Sequence, residues 1–211
     1  MPIEVDAKRR LDEIAAATVE VARERGLRSV TIRAVAERLG GSTAMITNYV
    51  PSRAGLMINA LRHAEGEWRR AAEEELKGVP DAERLPALVR RMCADTGGDV
   101  VMRRLLMETV SAGPAADGRD AEEVGAMARA HRESLGGFVA AAGLPGREIA
   151  ADLLHLVLRG YWLSTLEDPQ GWPAERGTRA ALAAVELLGG ADGAPTVPAP
   201  GGADPEERVL A

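Results

Sequence analysis

The 211-residue sequence contains a single cysteine, Cys93, and only six aromatic residues. A lone cysteine forms no disulfide within its chain, which excludes a disulfide-stabilised scaffold and suits a reducing compartment. No uncharged apolar run approaches the roughly 18 residues that a membrane-spanning helix needs. The N-terminal segment also carries charges where a secretory signal would have its apolar run. We therefore expect a cytoplasmic protein.

Basic residues are fewer than acidic ones, 26 Lys and Arg against 32 Asp and Glu, which gives a formal net charge of −6. Its distribution is uneven, however: residues 1–62 hold ten Lys/Arg and seven Asp/Glu, whereas residues 63–211 hold sixteen and twenty-five. A basic N-terminal part on an acidic body is the asymmetry expected when one part of a chain contacts phosphate and the rest does not.

The sequence has few β-branched runs and no sustained period-two alternation, while Ala, Leu and Arg are abundant. These residues favour helices, so the fold class is expected to be all-α. From Gly189 to the end, fourteen of twenty-three residues are Gly, Ala or Pro, which predicts a disordered tail. Helices are predicted over 7–25, from Thr31 to about Leu39, from Ser42 to Tyr49, from Pro51–Ser52 to Glu75, and over 82–96, 99–111, 118–142, 146–168 and 174–188.

The segment 31–57 has the spacing of a helix-turn-helix. Ala36 and Gly40 are small enough to let two short helices cross closely, and the glycine pair at 40–41 makes the turn. The apolar positions expected to share a small core are Val35, Leu39, Ile46 and Tyr49. The positions expected to point outward on the second helix are Thr43, Ala44, Thr47 and Asn48.

The outward positions have side chains that suit a DNA groove. Small, uncharged residues let a helix lie between the phosphate walls, Thr and Asn can hydrogen-bond base edges, and an Ala methyl can pack on a thymine methyl. Helix N-terminal amides, two arginines and a tyrosine hydroxyl nearby can meet phosphate oxygens. The candidate DNA contacts are Thr31, Arg33, Ser42, Thr43, Ala44, Thr47, Asn48, Tyr49, Ser52 and Arg53.

Residues 8–62 resemble the N-terminal domain of the TetR (tetracycline repressor) family of bacterial transcription regulators. The resemblance implies that the helix from Thr43 to Tyr49 enters the major groove, and that Arg53, where the family usually has Lys, holds phosphate. The sequence departs from the family pattern at Gly41, Thr47 and Val50, where Val, Tyr and Phe are usual. The matching residues are Arg10 through Gly26, Thr31 through Ala36, Gly40 to Ser42, and Tyr49, Pro51, Ser52, Arg53 and Leu56.

Residues 152–188 are similar to the final two helices of the family branch that includes the betaine-pathway repressor, which pair as a four-helix bundle across a two-fold axis. A two-fold dimer would hold two recognition helices about one DNA turn, ~34 Å, apart, as a palindromic operator requires. The alternative is that these apolar residues form only an intramolecular core. The candidate interface residues are Leu153, Leu156, Val157, Tyr161, Leu182, Val185 and Leu188.

The resemblance also implies an effector pocket within residues 63–165. Met and Trp side chains can shape an irregular apolar cavity, although at helical spacing they also serve as ordinary packing. The candidate lining is Trp68, Met92, Leu106, Met107, Phe138, His155 and Trp162.

Catalytic and metal sites are not indicated. The three histidines, His63, His131 and His155, lack the close spacing of a helical zinc site, and no phosphate-cradling, dinucleotide-binding or nucleophile-elbow motif occurs. The carboxylate runs at 73–75 and 120–123 are typical of solvated helix faces. We expect no enzymatic activity, no metal and no cofactor.

The sequence thus predicts an all-helical, homodimeric transcription regulator, a repressor that binds a palindromic operator in double-stranded DNA and is released by a small-molecule effector. The expected division is a helix-turn-helix domain at 1–51, an effector-binding and dimerisation domain at 52–188 with a linking helix at 52–75, and the tail at 189–211. Alternatives are a ligand-independent regulator or activator, and a small-molecule-binding helical protein that has lost DNA binding.

Overall fold

A computed structural model describes residues 2–94, 97–111 and 118–190 of the chain. The described residues form helices and connecting turns, which confirms the all-α fold class. The helices are α1 (Pro2–Arg25), α2 (Ile32–Arg38), α3 (Thr43–Thr47), α4 (Arg53–Glu75), α5 (Asp81–Cys93), α6 (Gly97–Ser111), α7 (Gly118–Ala141), α8 (Arg147–Glu167) and α9 (Ala174–Gly189), with a single 3₁₀ turn at Leu27–Ser29.

Three hydroxyl side chains set the starts of the helices that follow α1. The side-chain oxygens of Thr31, Ser42 and Ser52 accept hydrogen bonds of 3.0, 3.3 and 2.9 Å from the backbone N–H three residues later. Each cap satisfies one of the donors that a helix leaves free at its first turn. The predicted starts of α2, α3 and α4 are therefore confirmed.

The α2–α3 corner depends on its two glycines. Gly40 has a φ of 65°, in the left-handed region that favours glycine. Gly41 lies under the side chain of Met45, and a Cβ built at Gly41 would fall 2.3 Å from the Met45 Cε. Glycine in place of the family's usual valine thus leaves room for Met45 over the turn.

Two groups of helices pack against α4. We call α1–α3 with the 3₁₀ turn the head, and α5–α9 the body. In the head, Ile14, Val35, Ile46 and other apolar residues are fully buried between α1, α2 and α3. In the body, α5, α7, α8 and α9 pack on one another, and α6 packs on α4 and α8. Buried residues of head and body join in one continuous apolar core.

Some helix bounds differ from the sequence prediction. Helix α1 begins at Pro2 instead of residue 7, and an Asp6–Arg9 ion pair one turn apart lies on the added segment. Helix α5 ends at Cys93 instead of residue 96, because Ala94 has extended backbone with ψ of 142°. Helix α9 continues through Gly189, where the tail was expected to begin, and residues 191–211 lie outside the described residues.

Two adjacent aromatic residues of α8 fasten the end of α5. The Tyr161 hydroxyl donates to the Cys93 carbonyl at 2.9 Å, and the Trp162 Nε1–H donates to the Met92 carbonyl at 3.1 Å. These carbonyls belong to the last turn of α5, where helical partners are missing. The Tyr161 ring also lies against Gly177 of α9, where a Cβ would fall 2.2 Å from the ring. A glycine at 177 is therefore required for α8 and α9 to approach.

None of the described helices combines the length and apolar character that crossing a lipid bilayer requires.

Gly177→Ala should destabilise the protein although alanine is the better helix former. Helix propensity favours Ala by about 1 kcal/mol, but forcing a methyl group into a packed core typically costs about 1–3 kcal/mol. The control is Gly137→Ala, because Gly137 of α7 is exposed and a Cβ there meets no atom within 4 Å. Chemical denaturation should show a net loss of stability for Gly177→Ala and a gain for Gly137→Ala. Equal gains in both variants would contradict the close α8–α9 contact.

Candidate nucleic-acid interface

Helix α3 presents a small polar surface to solvent. Thr43, Ala44, Thr47 and Asn48 are exposed, as expected, while Ile46 is fully buried beneath them. The Thr47 hydroxyl donates to the Ala44 carbonyl at 3.4 Å, and the described residues offer the Asn48 amide no hydrogen-bond partner. The amide thus remains free to donate to and accept from an external group.

The end of α3 differs from the prediction at one core position. Tyr49 was expected in the core shared by the helices, but 41% of its surface is exposed, and Val50 is buried in its place with 4% exposed. Because α3 ends at Thr47 with Asn48 as its cap, residues 49 and 50 do not continue the helical rotation assumed for them. The exposed Tyr49 hydroxyl remains accessible, as its candidate role at phosphate requires.

The other polar candidates lie around α3 on the same head. Thr31, Ser42 and Ser52 are exposed caps whose side-chain oxygens already accept a backbone N–H. Arg33 is highly exposed and pairs with Glu37 at 2.9 Å, one turn along α2. An exposed pair of this kind is weak, so the Arg33 guanidinium can exchange its partner.

Arg53 differs from the expectation of a free phosphate ligand. Its Nε donates to the Val30 carbonyl at 3.0 Å and its Nη2 to the Leu27 carbonyl at 3.0 Å. Its Nη1 pairs with Glu108 of α6 at 2.9 Å. The first residue of α4 therefore fastens the 3₁₀ turn of the head to α6 of the body, a contact that sequence reasoning missed because its partners are 23 to 55 positions away.

Comparison with known proteins identifies the head. Residues 14–60 match the family model described as bacterial regulatory proteins, tetR family. Residues 14–60 are thus similar to the N-terminal part of that family's regulators. The matched stretch contains α2, α3 and the start of α4. The TetR resemblance expected from the sequence of the N-terminal part is confirmed, whereas the similarity of residues 152–188 to the betaine-pathway repressor branch stays a prediction.

Solved structures share the fold over most of the chain. A transcriptional regulator from Rhodococcus sp. Rha1 is 22% identical, with a TM-score of 0.70 over 84% of this chain and 95% of that one. A TetR-family regulator from Rhodococcus sp. is 18% identical, with a TM-score of 0.71 over 85% and 98%. A regulator from Saccharomonospora viridis in complex with choline is 19% identical, with a TM-score of 0.66 over 86% and 96%. At these identities the likeness establishes the fold.

No curated protein matches the chain.

The body carries an exposed apolar stripe. On α8, Leu153, Leu156 and Leu163 have 42%, 65% and 42% of their surface exposed, and Gly160 is exposed between them. Leu187 of neighbouring α9 is 76% exposed. The spacing of 153, 156, 160 and 163 places these residues on one helix face. We call Leu153, Leu156, Gly160, Leu163 and Leu187 the α8–α9 stripe.

Only part of the sequence-predicted dimer set lies on this stripe. Leu153 and Leu156 belong to it, whereas Tyr161 is buried in the core with 5% exposed, which corrects its assignment to an interface. Val157, Leu182, Val185 and Leu188 are half-buried against the core. Leu163 lies two helical turns from the chosen Leu156, so a sequence signal for it was present, whereas Leu187 is at no helical repeat from a chosen residue. Periodicity alone did not show which face was already covered.

The seven predicted effector-pocket residues do not surround one cavity. Trp68 lines a groove of about 430 Å³ between α1 and α4, with Arg91 over its ring, and Met107 lines a different cavity of about 470 Å³. Met92 and Leu106 are buried, and Phe138 is half-buried with Arg84 over its ring. Met92, His155 and Trp162 lie close together. The Trp162 Nε1–H donates to the Met92 carbonyl, and the ring of another histidine neighbours the rings of both His155 and Trp162.

That histidine is His131, the centre of a partly buried polar cluster in the body. Its ring centroid lies 5.3 Å from that of His155 and 5.9 Å from that of Trp162. His131 Nε2 and His155 Nδ1 are buried without a hydrogen-bond partner. Burial, together with the nearby Arg159, His155 and Arg69, lowers the pKa of His131 to about 3. Burial, with Arg159 and Arg132, also lowers the pKa of His155.

The His131 environment makes stability depend on pH. The unfolded chain protonates His131 near its ordinary pKa of 6.5 and the folded chain near 3, so the folded state loses stability as the pH falls through this window. At pH 5 the loss from His131 is about 2 kcal/mol. His131→Phe should remove this part of the pH dependence.

The measurement is urea unfolding of both proteins at pH 7.5 and pH 5.0, with circular dichroism at pH 7.5 as the check of the variant's fold. Groups shared by the two proteins cancel in the difference. The same loss of stability between pH 7.5 and pH 5.0 in the wild type and in His131→Phe would contradict the prediction. It would show that His131 takes up a proton equally in the folded and the unfolded state.

Proposed function

We propose that the chain is a repressor that binds a palindromic DNA operator as a homodimer and is released by a small-molecule effector. The observation that carries this proposal is the exposed face of α3, held on a helix-turn-helix whose three helix starts are each capped by a hydroxyl side chain. A rigid head with a small, uncharged outer face suits insertion into the major groove.

The residues of the head divide between two roles. Thr43, Ala44, Thr47 and Asn48 are proposed to contact base edges, with Asn48 supplying the paired donor and acceptor that reads adenine. Thr31, Arg33, Ser42, Tyr49 and Ser52 surround them and are proposed to position the head on phosphates. Arg53 holds the 3₁₀ turn and Glu108 instead, so we assign it to positioning α4 beneath the head.

The α8–α9 stripe is proposed as the dimer interface. Its leucines are too exposed to be serving the core of one chain, and a second copy related by a two-fold axis would cover them with the same surface. The dimer would place two heads on successive major grooves, about 34 Å apart.

The domains are proposed as a DNA-binding part at 1–51, an effector and dimerisation part at 52–188 with α4 as its link, and a tail at 189–211. Effector binding in the body would shift the population toward a conformation in which α4 moves the two heads out of register with the operator. Two of the structures with this fold hold small molecules, choline in one and ethidium in the other, which supports a ligand-responsive body.

The test of the proposed function is footprinting on the DNA upstream of the chain's own gene. A repressor of this kind should protect a palindrome, and the affinity should fall as salt is raised, because counterions are released from the phosphates. A lack of protection at low salt would favour a protein that has lost DNA binding.

Asn48→Ala and Arg33→Ala should separate base reading from phosphate binding. Asn48→Ala removes a base contact, so it should cost about 1–3 kcal/mol on the cognate site and relax preference at one base pair. Arg33→Ala should weaken binding to all sequences and reduce the salt slope by about 1.

Fluorescence anisotropy with the operator and with single-base variants at several salt concentrations measures both effects. Arg90→Ala is the matched control, because Arg90 is an exposed arginine on α5 of the body. A loss of base preference in Arg33→Ala, or a uniform loss in Asn48→Ala, would reverse the assigned roles.

Leu156→Glu should weaken the dimer at least tenfold. The two-fold axis would bring two copies of the same stripe together, so each new carboxylate would be buried against apolar surface. Light scattering after size exclusion should show a monomer at micromolar concentration. The control is Val110→Glu, since Val110 is 53% exposed on α6, off the stripe, and it should remain a dimer. A dimeric Leu156→Glu protein would show that the stripe is not the interface.

A further inference from the structure

Arg103 of α6 is a buried cation that no described acidic group neutralises. Only 2% of its surface is exposed. Its Nη1 donates to the Thr165 hydroxyl at 3.1 Å and its Nη2 to the Ala94 carbonyl at 3.3 Å, and its guanidinium lies 5.5 Å from the centre of the Tyr161 ring. Its Nε is buried without a hydrogen-bond partner. Every partner that these contacts supply is neutral.

Arg103 lines a cavity of about 470 Å³ between α6, α8 and the start of α9. Arg104 and Glu108 also line it, so the charges of its described lining residues sum to one positive charge. The remaining wall includes the apolar side chains of Met107, Leu166 and Trp172. The cavity therefore combines a net positive wall with an apolar surface large enough for the body of a small organic molecule.

A buried guanidinium whose partners among the described residues are all neutral is unfavourable, because it has lost its hydration and gained from them only neutral hydrogen bonds. An anion that enters the cavity would supply the missing charge, and a carboxylate matches the planar guanidinium in shape. We propose that this cavity binds an amphipathic monoanion, with its carboxylate on Arg103 and its apolar part on Met107, Leu166 and Trp172. The inference rests on the proposed function, because it names the chemical class of the effector.

The position of the cavity connects its occupant to the head. Leu27 and Glu108 both line the cavity, and both accept hydrogen bonds from Arg53. A bound anion would lie beside the Glu108 carboxylate. Repulsion between the two negative charges would then disfavour the position in which Glu108 pairs with Arg53. An occupant thus acts directly on the contacts that hold the 3₁₀ turn of the head to α6.

The test uses octanoate as the probe, with octan-1-ol and octylammonium as partners of matched length and different charge. Calorimetric titration of the full chain should show one octanoate bound per protomer and much weaker binding of the other two. Arg103→Met should weaken octanoate binding at least tenfold, whereas Arg90→Met, an exposed arginine of α5, should bind octanoate as the wild type does. Equal binding of octanoate and octan-1-ol, or no octanoate binding, would overturn the proposal.

A second variant keeps the test decisive if Arg103→Met does not fold. Met107→Trp retains Arg103 and fills the cavity, so it should abolish octanoate binding, and undiminished binding would overturn the proposal. The titration contains no DNA, which separates this inference from the proposed function. A protein that protects its operator but binds no octanoate fails here alone, and one that binds octanoate without protecting DNA fails only as a repressor.

Discussion

The arrangement of head and body depends on the burial of α4 on all sides. Six consecutive residues, Leu56 to Leu61, are buried, whereas a helix on a protein surface buries only one stripe. Helices α1, α6 and α7 surround this segment, and Arg53 at its start ties the 3₁₀ turn to Glu108. A helix enclosed in this way cannot rotate or slide without moving its neighbours. Any change in the body that shifts α4 is therefore delivered to the helix-turn-helix.

The sequence predicted the features that depend on neighbours in the chain. The hydroxyl caps at Thr31, Ser42 and Ser52 act on an N–H three residues away, so a local pattern reveals them. Tyr49 was placed in the core because α3 was extended through it, although the helix ends at Thr47. Arg53 and Glu108 are 55 positions apart, and no periodicity reports such a contact. The same limit applies to the effector pocket. Trp68 and Met107 are residue types that often line cavities, but in this fold they line two different ones.

Two basic side chains of the body, the partly buried His131 and the buried Arg103, differ in how they meet the cost of burial. Imidazole can release its proton, and burial, together with Arg159 and His155, lowers the pKa of His131 so that it is neutral at physiological pH. Guanidinium does not deprotonate in proteins, so Arg103 keeps its charge with a hydroxyl and a carbonyl as partners. Within the described part of the chain, Arg103 is thus a charged group with only neutral partners, and it lines a cavity.

Magnitudes decide where the energy of a switch would come from. The Arg53–Glu108 pair is more than 40% exposed on both sides, and such pairs contribute about 0–1 kcal/mol. Moving a population from 1:99 to 99:1 requires about 5.5 kcal/mol, so breaking this pair cannot by itself drive release. A charge-assisted hydrogen bond to a buried arginine contributes about 1.5–3 kcal/mol, and a symmetric dimer has two such sites. The Arg53–Glu108 pair is too weak to supply the free energy of a switch. It can instead determine which contacts change when the cavity is occupied, because the partners of Arg53 lie on the head and at the cavity wall. Binding at Arg103 would contribute to the switch by the difference in its strength between the two conformations, and the enclosed α4 would transmit the resulting displacement to the head.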